Sequence, residues 1–306
     1  MAVDPRTLIR PDADLALPDG DDVVVTTDDG ARLAVTVAGP AGVPEGAGGA
    51  LPVVLAHCWT GSRRVWVPVA RRLMAAGHRV VLYDQRGHGA STTGDEPLSV
   101  DRLGDDLAAV LAAVDLPRVV LAGHSMGGMT VMSFACRHGA LLHERVHGVV
   151  LAATAAHGLA AQGRERFWRM VLWRRWIDGP MGRPRLGRLL VRPTFGARPL
   201  RAHVEEARAM FVGTDVDVRR GCVEAMGEMD LRAGLGAVDV PTVVLLGTRD
   251  TLIVNGLTRA IAVHVAGAEV VELAGAGHLL PFERPDELAA AVDRLAAVDA
   301  GVSPSG

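Results

Sequence analysis

A serine framed by glycines is the residue of this sequence best suited to nucleophilic chemistry. Ser125 lies in the pentapeptide Gly-His-Ser-Met-Gly of residues 123–127, which follows the apolar run 118–122 and precedes a helix-like segment. In the pattern G-x-S-x-G the serine occupies a strained turn between a strand and a helix, where a Cβ on either glycine would collide with neighbouring backbone. The alternative is a serine that only caps the helix. Because the chain has 36 glycines, the match needs partners elsewhere in the sequence.

Two later loops carry the acid and the base that a serine nucleophile requires. Asp250 ends the sequence Gly-Thr-Arg-Asp, which follows an apolar run beginning at Val243, and His278 ends Gly-Ala-Gly-His, which follows the run 270–273. Each of the three residues therefore follows a predicted strand, in the chain order Ser, Asp, His. A histidine in this position takes the serine proton, and the carboxylate fixes the imidazole tautomer and stabilises the imidazolium.

These motifs resemble those of the α/β-hydrolase superfamily, in particular its serine esterase and lipase members, over residues 20–298. The segment 57–61, His-Cys-Trp-Thr-Gly, is similar to the oxyanion loop of the family, with Cys58 where glycine is usual. The segment 84–89, Asp-Gln-Arg-Gly-His-Gly, resembles its D-x-R-G-x-G turn. The His-x-Trp loop and the Ser-Met elbow resemble bacterial arylesterases and cofactor-free perhydrolases, and monoacylglycerol lipases share the G-H-S-M-G elbow.

The resemblance implies a catalytic triad of Ser125, Asp250 and His278. It also implies that the backbone N–H groups of Trp59 and Met126 form the oxyanion hole. Asp250 is the preferred acid because residues 151–154, the other place where the family carries it, contain no carboxylate.

The remaining histidines of the motifs have other predicted roles. His124 adjoins the serine but points elsewhere on the turn, and His57 and His88 belong to loops in which histidine usually bonds to backbone, so we expect these three to be structural. Three further side chains are expected to line the substrate pocket: Cys58, His157 and Trp168.

Alternating strands and helices must position these loops. The sequence predicts a hairpin over 23–27 and 32–38, followed by buried strands that alternate with helices. The predicted strands after the hairpin are 53–56, 79–83, 118–122, 148–152, 243–246 and 270–273, and the predicted helices are 65–76, 99–114, 126–138, 256–265 and 285–298. The pattern indicates an α/β fold, in which a mostly parallel eight-stranded sheet has helices on both faces and a helical cap. The predicted divisions are an N-terminal extension (1–22), the hydrolase core (23–154 and 237–298), the cap (155–236) and a flexible tail (299–306).

The predicted cap is unusually basic. Residues 164–201 contain eleven arginines against Glu165 and Asp178, together with three of the five tryptophans of the chain. One interpretation is that the arginines pair with the acidic remainder of the protein while the tryptophans pack beneath them. The alternatives are that the cap rests on an anionic membrane surface or lipid droplet, or that it attracts an anionic acyl substrate.

Composition excludes several classes of protein. All 32 basic side chains are arginine, so a Schiff-base lysine, a P-loop lysine and a Ser-Lys dyad are impossible. The three cysteines lack a C-x-x-C spacing, so we expect neither a disulfide framework nor a zinc site. A net charge of −3 gives no reason to expect nucleic-acid binding. Without a signal peptide or a membrane span in the sequence, we expect a cytoplasmic protein with no cofactor and no metal.

The sequence therefore predicts a serine hydrolase that cleaves carboxylic esters of small to medium acyl chains through an acyl-enzyme. Several reactions use the same triad and stay open: hydrolysis of C–C bonds, lactones or thioesters, and perhydrolysis or haloperoxidase chemistry with peroxide. Epoxide hydrolases and haloalkane dehalogenases are disfavoured because their nucleophile is an aspartate. The alternative from another class is a non-catalytic ligand-binding protein on the same fold.

Overall fold

Eight strands among the described residues form one sheet. The computed structural model describes residues 13–40, 50–157 and 177–296. The strands are β1 (Gly20–Thr26), β2 (Arg32–Ala38), β3 (Val53–Ala56), β4 (Val80–Tyr83), β5 (Val119–His124), β6 (Val146–Ala152), β7 (Thr242–Gly247) and β8 (Glu269–Leu273). Their order in the sheet is β1-β2-β4-β3-β5-β6-β7-β8. The first two strands are antiparallel to their neighbours and the remaining six run parallel.

Helices cover both faces of this sheet. They are α1 (Val67–Ala75), α2 (Val100–Val114), α3 (Met126–Arg137), α4 (Gly139–Arg145), α5 (Asp178–Gly182), α6 (Pro184–Val191), α7 (Arg201–Gly213), α8 (Val216–Glu228), α9 (Asn255–His264), α10 (Leu280–Glu283) and α11 (Pro285–Ala296). One face packs against α2, α3 and α9, and the other packs against α1, α10 and α11. Within the described ranges, no helix is long and apolar enough to cross a membrane.

The central strands are buried on both faces, which explains their apolar sequences. In β3, Val54 and Ala56 belong to the core on one face, whereas Val53 and Leu55 belong to the core on the other. Side chains of a strand alternate between faces, so a strand covered by helices on both sides must be apolar at every position. Such runs are the signal from which the sequence predicted these strands.

The predicted fold class is confirmed, including the number of strands and the parallel arrangement of most of them. The five predicted helices are also present, although the first begins as a 3₁₀ turn at Arg63–Trp66 and becomes α-helical at Val67. Pro285 occupies the first position of α11, as its missing N–H allows. The short helices α4 and α10 were not predicted, because neither is long enough to show a helical period.

Helices α5 to α8, here called the cap helices, lie between β6 and β7. Three arginines of these helices pair with carboxylates of the same helices. Arg188 and Arg208 both donate to Glu205 on α7, and Arg219 pairs with Asp178 on α5. Residues 158–176 lie outside the described residues, and they include the first part of the arginine-rich segment, all three of its tryptophans and with them the predicted pocket residue Trp168.

A buried ion cluster joins the hairpin to the helices. Arg86, in the loop after β4, has no exposed side-chain surface and donates to Asp106 on α2 at 2.6 Å through Nε and through Nη2. The same guanidinium donates to both oxygens of Asp29 in the β1–β2 turn, at 2.8 and 3.1 Å. Hydrogen bonds from Arg86 hold the pKa of Asp29 well below its ordinary range. Arg86 therefore pairs with two buried carboxylates from different parts of the chain, and Arg102 Nη2 lies 3.4 Å from Asp29 Oδ1 as a second cation.

Replacing Arg86 with methionine is expected to lower the free energy of unfolding by about 3–5 kcal/mol at pH 7, since Asp106 would lose its charged hydrogen bonds and Asp29 would keep only the longer ion pair with Arg102. The exposed pair of Arg294 and Glu269 gives a matched control, because Arg294→Met should cost at most about 1 kcal/mol. Denaturant unfolding of both variants measures the difference. Equal costs for the two substitutions would contradict the assigned role.

The cost of Arg86→Met in the free energy of unfolding should depend on pH. Because the pKa of Asp29 is depressed in the folded parent, its contribution to stability is present above its unfolded pKa of about 4 and is lost as the pH falls below that value. Without Arg86, the buried carboxylates of Arg86→Met accept protons more readily. The difference in the free energy of unfolding between parent and variant should therefore narrow as the pH falls from 7 to 4. A gap that widens on acidification would be inconsistent with this explanation.

Candidate active site

Ser125 lies on a strained turn between β5 and α3. Its backbone has φ 54° and ψ −116°, a region that side chains other than glycine rarely adopt. Two hydrogen bonds fix this conformation: the Ser125 N–H donates to Ala152 O at 2.9 Å, and the Thr154 hydroxyl donates to Ser125 O at 2.7 Å. The serine keeps 6% of its surface exposed. This is the geometry that the pentapeptide predicts.

The glycines of the turn are sterically required. A Cβ on Gly123 would overlap the carbonyl oxygen of Gly127, and a Cβ on Gly127 would overlap the carbonyl oxygen of Ala56 in β3. The elbow is therefore pressed against its own helix and against the neighbouring strand. Other residues at these positions would displace Ser125 or separate α3 from the sheet.

Asp250 and His278 form a buried hydrogen-bonded pair. His278 Nδ1–H donates to Asp250 Oδ2 at 2.8 Å, and the side chains are 5% and 1% exposed respectively. The other carboxylate oxygen, Oδ1, accepts from the backbone N–H groups of Leu252 and Ile253 at 2.8 and 3.0 Å. With Nδ1 protonated, His278 Nε2 is free to accept a proton.

The pair is brought to the elbow through a backbone contact. His124, the residue before the serine, donates from Nε2 to the carbonyl oxygen of His278 at 2.7 Å, and the two imidazole rings lie 5.0 Å apart. Burial lowers the pKa of His124 well below its ordinary value, so this ring is a neutral donor. Among the described residues no side chain is hydrogen bonded to the Ser125 hydroxyl. Catalytic hydrogen bonds are often long before substrate binds.

Two neutral histidines support the predicted oxyanion loop. His57 donates from Nδ1 to Cys58 O at 2.7 Å and accepts at Nε2 from the Gln85 N–H at 2.9 Å. His88 donates from Nδ1 to Arg86 O and accepts at Nε2 from the Thr60 N–H at 3.2 Å. Burial lowers the pKa of His57 to about 4 and that of His88 to about 3. Both rings therefore use their acceptor nitrogen for backbone and are unsuited to proton transfer.

The backbone N–H groups predicted as the oxyanion hole are unoccupied by intramolecular acceptors. Met126 is the first residue of α3, where a helix leaves its N–H groups without partners. Within the described part of the chain, neither the Met126 N–H nor the Trp59 N–H donates to an acceptor. Thr60 and Ala153, which flank the site, have φ of 53° and 48°, so strained backbone clusters here with Ser125.

A segment of the chain between α6 and α7 clasps the histidine loop. The His278 N–H donates to Thr194 O at 2.8 Å, and the Gly196 N–H donates to Glu283 Oε2 at 2.7 Å. The Gly277 N–H donates to the same carboxylate at 3.1 Å. Burial raises the pKa of Glu283. A Cβ on Gly196 would overlap Gly275 O, so the two loops touch backbone to backbone.

The other predicted pocket residues occupy distinct places. The Cys58 side chain is buried in the core cluster that includes Val65 and Trp66, and burial raises the pKa of its thiol to about 12. His157 is half-buried just before the undescribed stretch and forms a backbone bridge with Asp230. That Cys58, His157 and Trp168 line the pocket stays a prediction.

Sequence reasoning missed two charged side chains near this site. Glu283 follows His278 by five residues but belongs to no motif with a known pattern. Arg219 lies on α8, outside the arginine-rich segment 164–201, and its neighbours come from three other parts of the chain. Neither could be found without knowing which loops meet in space.

Known proteins resemble the chain over most of its length. The family described as "alpha/beta hydrolase fold" matches residues 52–285, which include Ser125, Asp250 and His278. The 3-oxoadipate enol-lactonase 2 of Acinetobacter baylyi is 28% identical over 223 residues, which cover 71% of this chain and 78% of that protein. The non-heme chloroperoxidase CPO-A1 of Kitasatospora aureofaciens is 29% identical over 238 residues, covering 74% and 84% respectively. A hydrolase from Pseudomonas aeruginosa PA01 has a similar crystal structure, with a TM-score of 0.71 at 31% identity and coverage of 90% of this chain and 98% of that one.

Cys58 is expected to resist alkylation in the folded protein, because a buried thiol with a pKa of about 12 supplies almost no thiolate. Iodoacetamide at pH 8 followed by peptide mass spectrometry measures the labelling of each cysteine. Cys136, which is only partly buried, is the internal comparison and should react sooner. Labelling of Cys58 before Cys136 would show that the oxyanion loop opens in solution.

Proposed function

The chain belongs to the α/β-hydrolase family, and from that premise we propose that it is a serine-dependent hydrolase of carboxylic esters with small to medium acyl chains. In this proposal Ser125 is the nucleophile, His278 the general base and acid, and Asp250 the residue that orients the imidazole. The reaction passes through an acyl-enzyme, as in carboxylesterases and lipases.

One observation carries the proposal. The His278–Asp250 pair is held beside a strained serine by the bond from His124 Nε2 to His278 O. The hydrogen bond to Asp250 fixes the tautomer that leaves His278 Nε2 as an acceptor. His57 and His88 use both ring nitrogens on backbone, whereas His278 Nε2 has no hydrogen-bond partner among the described residues.

Acylation follows from these positions. Ser125 Oγ attacks the carbonyl carbon of the ester while its proton passes to His278 Nε2. The negative charge that develops on the carbonyl oxygen is stabilised by the N–H groups of Met126 and Trp59. The intermediate then collapses with cleavage of the C–O bond, and the leaving alcohol takes the proton from His278. The acyl group remains on Ser125.

Deacylation repeats the sequence with water. His278 accepts a proton from a water molecule whose oxygen attacks the acyl carbon, and the same two N–H groups stabilise the second oxyanion. Collapse breaks the bond to Ser125 Oγ, which recovers its proton from His278. The carboxylic acid leaves and the free enzyme is restored.

Lactone hydrolysis is the second candidate. A lactone is a cyclic ester, so the same residues open it in the same two steps, and a lactonase is among the relatives. The chloroperoxidase relative suggests a third assay, in which hydrogen peroxide replaces water in the second step and the product is a peracid.

A cytoplasmic location also forms part of the proposal, because all three cysteines are free thiols and a reducing compartment preserves them.

Ser125→Ala is expected to abolish labelling by a fluorophosphonate probe and to lower kcat on 4-nitrophenyl esters by at least about 10⁴-fold, because it removes the nucleophile. Ser133→Ala, on the buried face of the same helix, is the matched control and should hydrolyse esters at the parental rate. Probe labelling and initial rates on a C2 to C12 acyl series, with lactone and peroxide assays in parallel, measure the effect.

Two results would contradict this proposal in different ways. If Ser125→Ala hydrolyses esters as fast as the parent, the nucleophile is misassigned. If the parent neither reacts with the probe nor turns over any substrate of the three assays, a non-catalytic ligand-binding role is the better conclusion.

Glu283 is expected to act as a positioning residue through the histidine loop. Glu283→Ala leaves the Gly196 and Gly277 N–H groups without their acceptor, and a displacement of His278 by about 1 Å should lower kcat on the order of 10²-fold. Glu283→Gln keeps an acceptor oxygen and should restore most of the loss. Glu287→Ala, at an exposed surface pair, is the control. Equal kcat values for Glu283→Ala and the parent would show that Glu283 does not position His278 for catalysis.

A further inference from the structure

Arg219 is a buried arginine of the cap helices with an incomplete set of partners. It is 5% exposed, its Cζ lies 4.5 Å from the centroid of the Phe211 ring, and Nη2 donates to Asp178 Oδ1 at 2.6 Å. The Asp178 side chain is 40% exposed, so water shares in neutralising it. The carboxylate therefore engages only one of the three guanidinium nitrogens.

Two donors of this guanidinium have no acceptor. Arg219 Nε and Nη1 are both buried, and neither makes a hydrogen bond in the part of the chain that the structure describes. By contrast, the buried Arg86 uses Nε, Nη1 and Nη2 on two carboxylates. Since an unsatisfied buried donor of a charged group is costly, the environment of Arg219 calls for an additional acceptor, preferably an anionic one.

Arg219 also adjoins the proposed oxyanion hole. Its carbonyl oxygen accepts from Trp59 Nε1 at 3.1 Å, and the Trp59 ring meets the Phe211 ring edge to face at a centroid distance of 6.0 Å. Phe211 and Trp59 also belong to a small apolar cluster, whose other members are Met181, Ile177, Val191 and Val223. The guanidinium therefore lies on an apolar cluster that includes Trp59, one of the two residues proposed to form the oxyanion hole.

We propose that Arg219 binds a carboxylate at the far end of the acyl chain, so that the substrates are half-esters or lactones of dicarboxylic acids. The apolar cluster accommodates the methylene groups and a free donor of Arg219 receives the carboxylate. Arginine suits this role because its guanidinium is always charged and carboxylate oxygens are its preferred acceptors. The inference rests on the proposed ester hydrolysis, and it narrows the substrate class of that same site.

The test compares matched pairs of substrates. The 4-nitrophenyl half-esters of adipate, pimelate and suberate carry a terminal carboxylate, whereas the corresponding hexanoate, heptanoate and octanoate esters have the same chain length without the charge. The parent should show a kcat/KM about tenfold or more higher for at least one anionic ester, as a charge-assisted hydrogen bond implies. Arg219→Met should abolish that preference, chiefly through KM, while changing hydrolysis of the neutral esters by no more than about threefold. Arg219→Lys should retain part of it.

Arg220→Met, on the next position of α8, is the matched control and should keep the parental preference. Two results would overturn the inference without contradicting the proposed ester hydrolysis by the parent. In the first, the parent hydrolyses neutral esters as well as every anionic one. In the second, Arg219→Met loses activity equally on anionic and neutral esters. Loss of hydrolysis on all esters, with no labelling of Ser125, would instead contradict the proposed function.

Binding without turnover gives a separate measurement. Calorimetric titration of Ser125→Ala with adipate and with hexanoate should show tighter binding of the diacid, and the double variant with Arg219→Met should bind the two acids equally. Equal binding of both acids to Ser125→Ala itself would refute the role of Arg219, whatever the outcome of the rate assays.

Discussion

The turn that carries Ser125 has no space for a Cβ at Gly123 or Gly127, the residues two positions before and after the serine. Gly127 lies against the carbonyl of Ala56 in β3, Gly128 lies against Thr154, and the Ser125 N–H is bonded to Ala152 in β6. The turn is consequently gripped between the two strands that neighbour β5, and its positive φ is maintained by packing from both sides. This packing fixes the position of the serine relative to the first N–H of α3 and to the end of the sheet. The other loops of the site are positioned around this turn.

Three independent contacts place the histidine loop. His124 Nε2 donates to the carbonyl oxygen of His278, and Thr194 O accepts from the His278 N–H. Asp250 accepts from the imidazole of His278. The predicted oxyanion loop is positioned in a comparable way by His57 and His88, whose neutral rings connect it to the loop after β4. Neutral rings serve this purpose because a protonated ring could not accept the backbone N–H.

The sequence was sufficient for those features that depend on local patterns. Fully apolar runs such as 53–56 identify strands buried on both faces, and the elbow, acid and base loops each carry a short motif at a strand end. Features produced by contacts between distant segments were out of reach. Nothing near Glu283 indicates that it accepts from Gly196, and nothing near Arg219 indicates that its guanidinium lies on Phe211 with two donors free. The helices α4 and α10 were missed for a related reason, since tertiary packing rather than periodicity stabilises such short segments.

The clasp between Gly196 and Gly277 has a mechanical consequence. Because Thr194 O accepts from the His278 N–H, and the Gly196 and Gly277 N–H groups share the Glu283 carboxylate, a swing of this part of the cap away from the sheet would carry His278 with it. A motion of the cap helices that leaves His278 in place must therefore bend beyond these bonds, within α7 and α8. The position of His278 is in this way linked to that of the cap helices through residues 194–197.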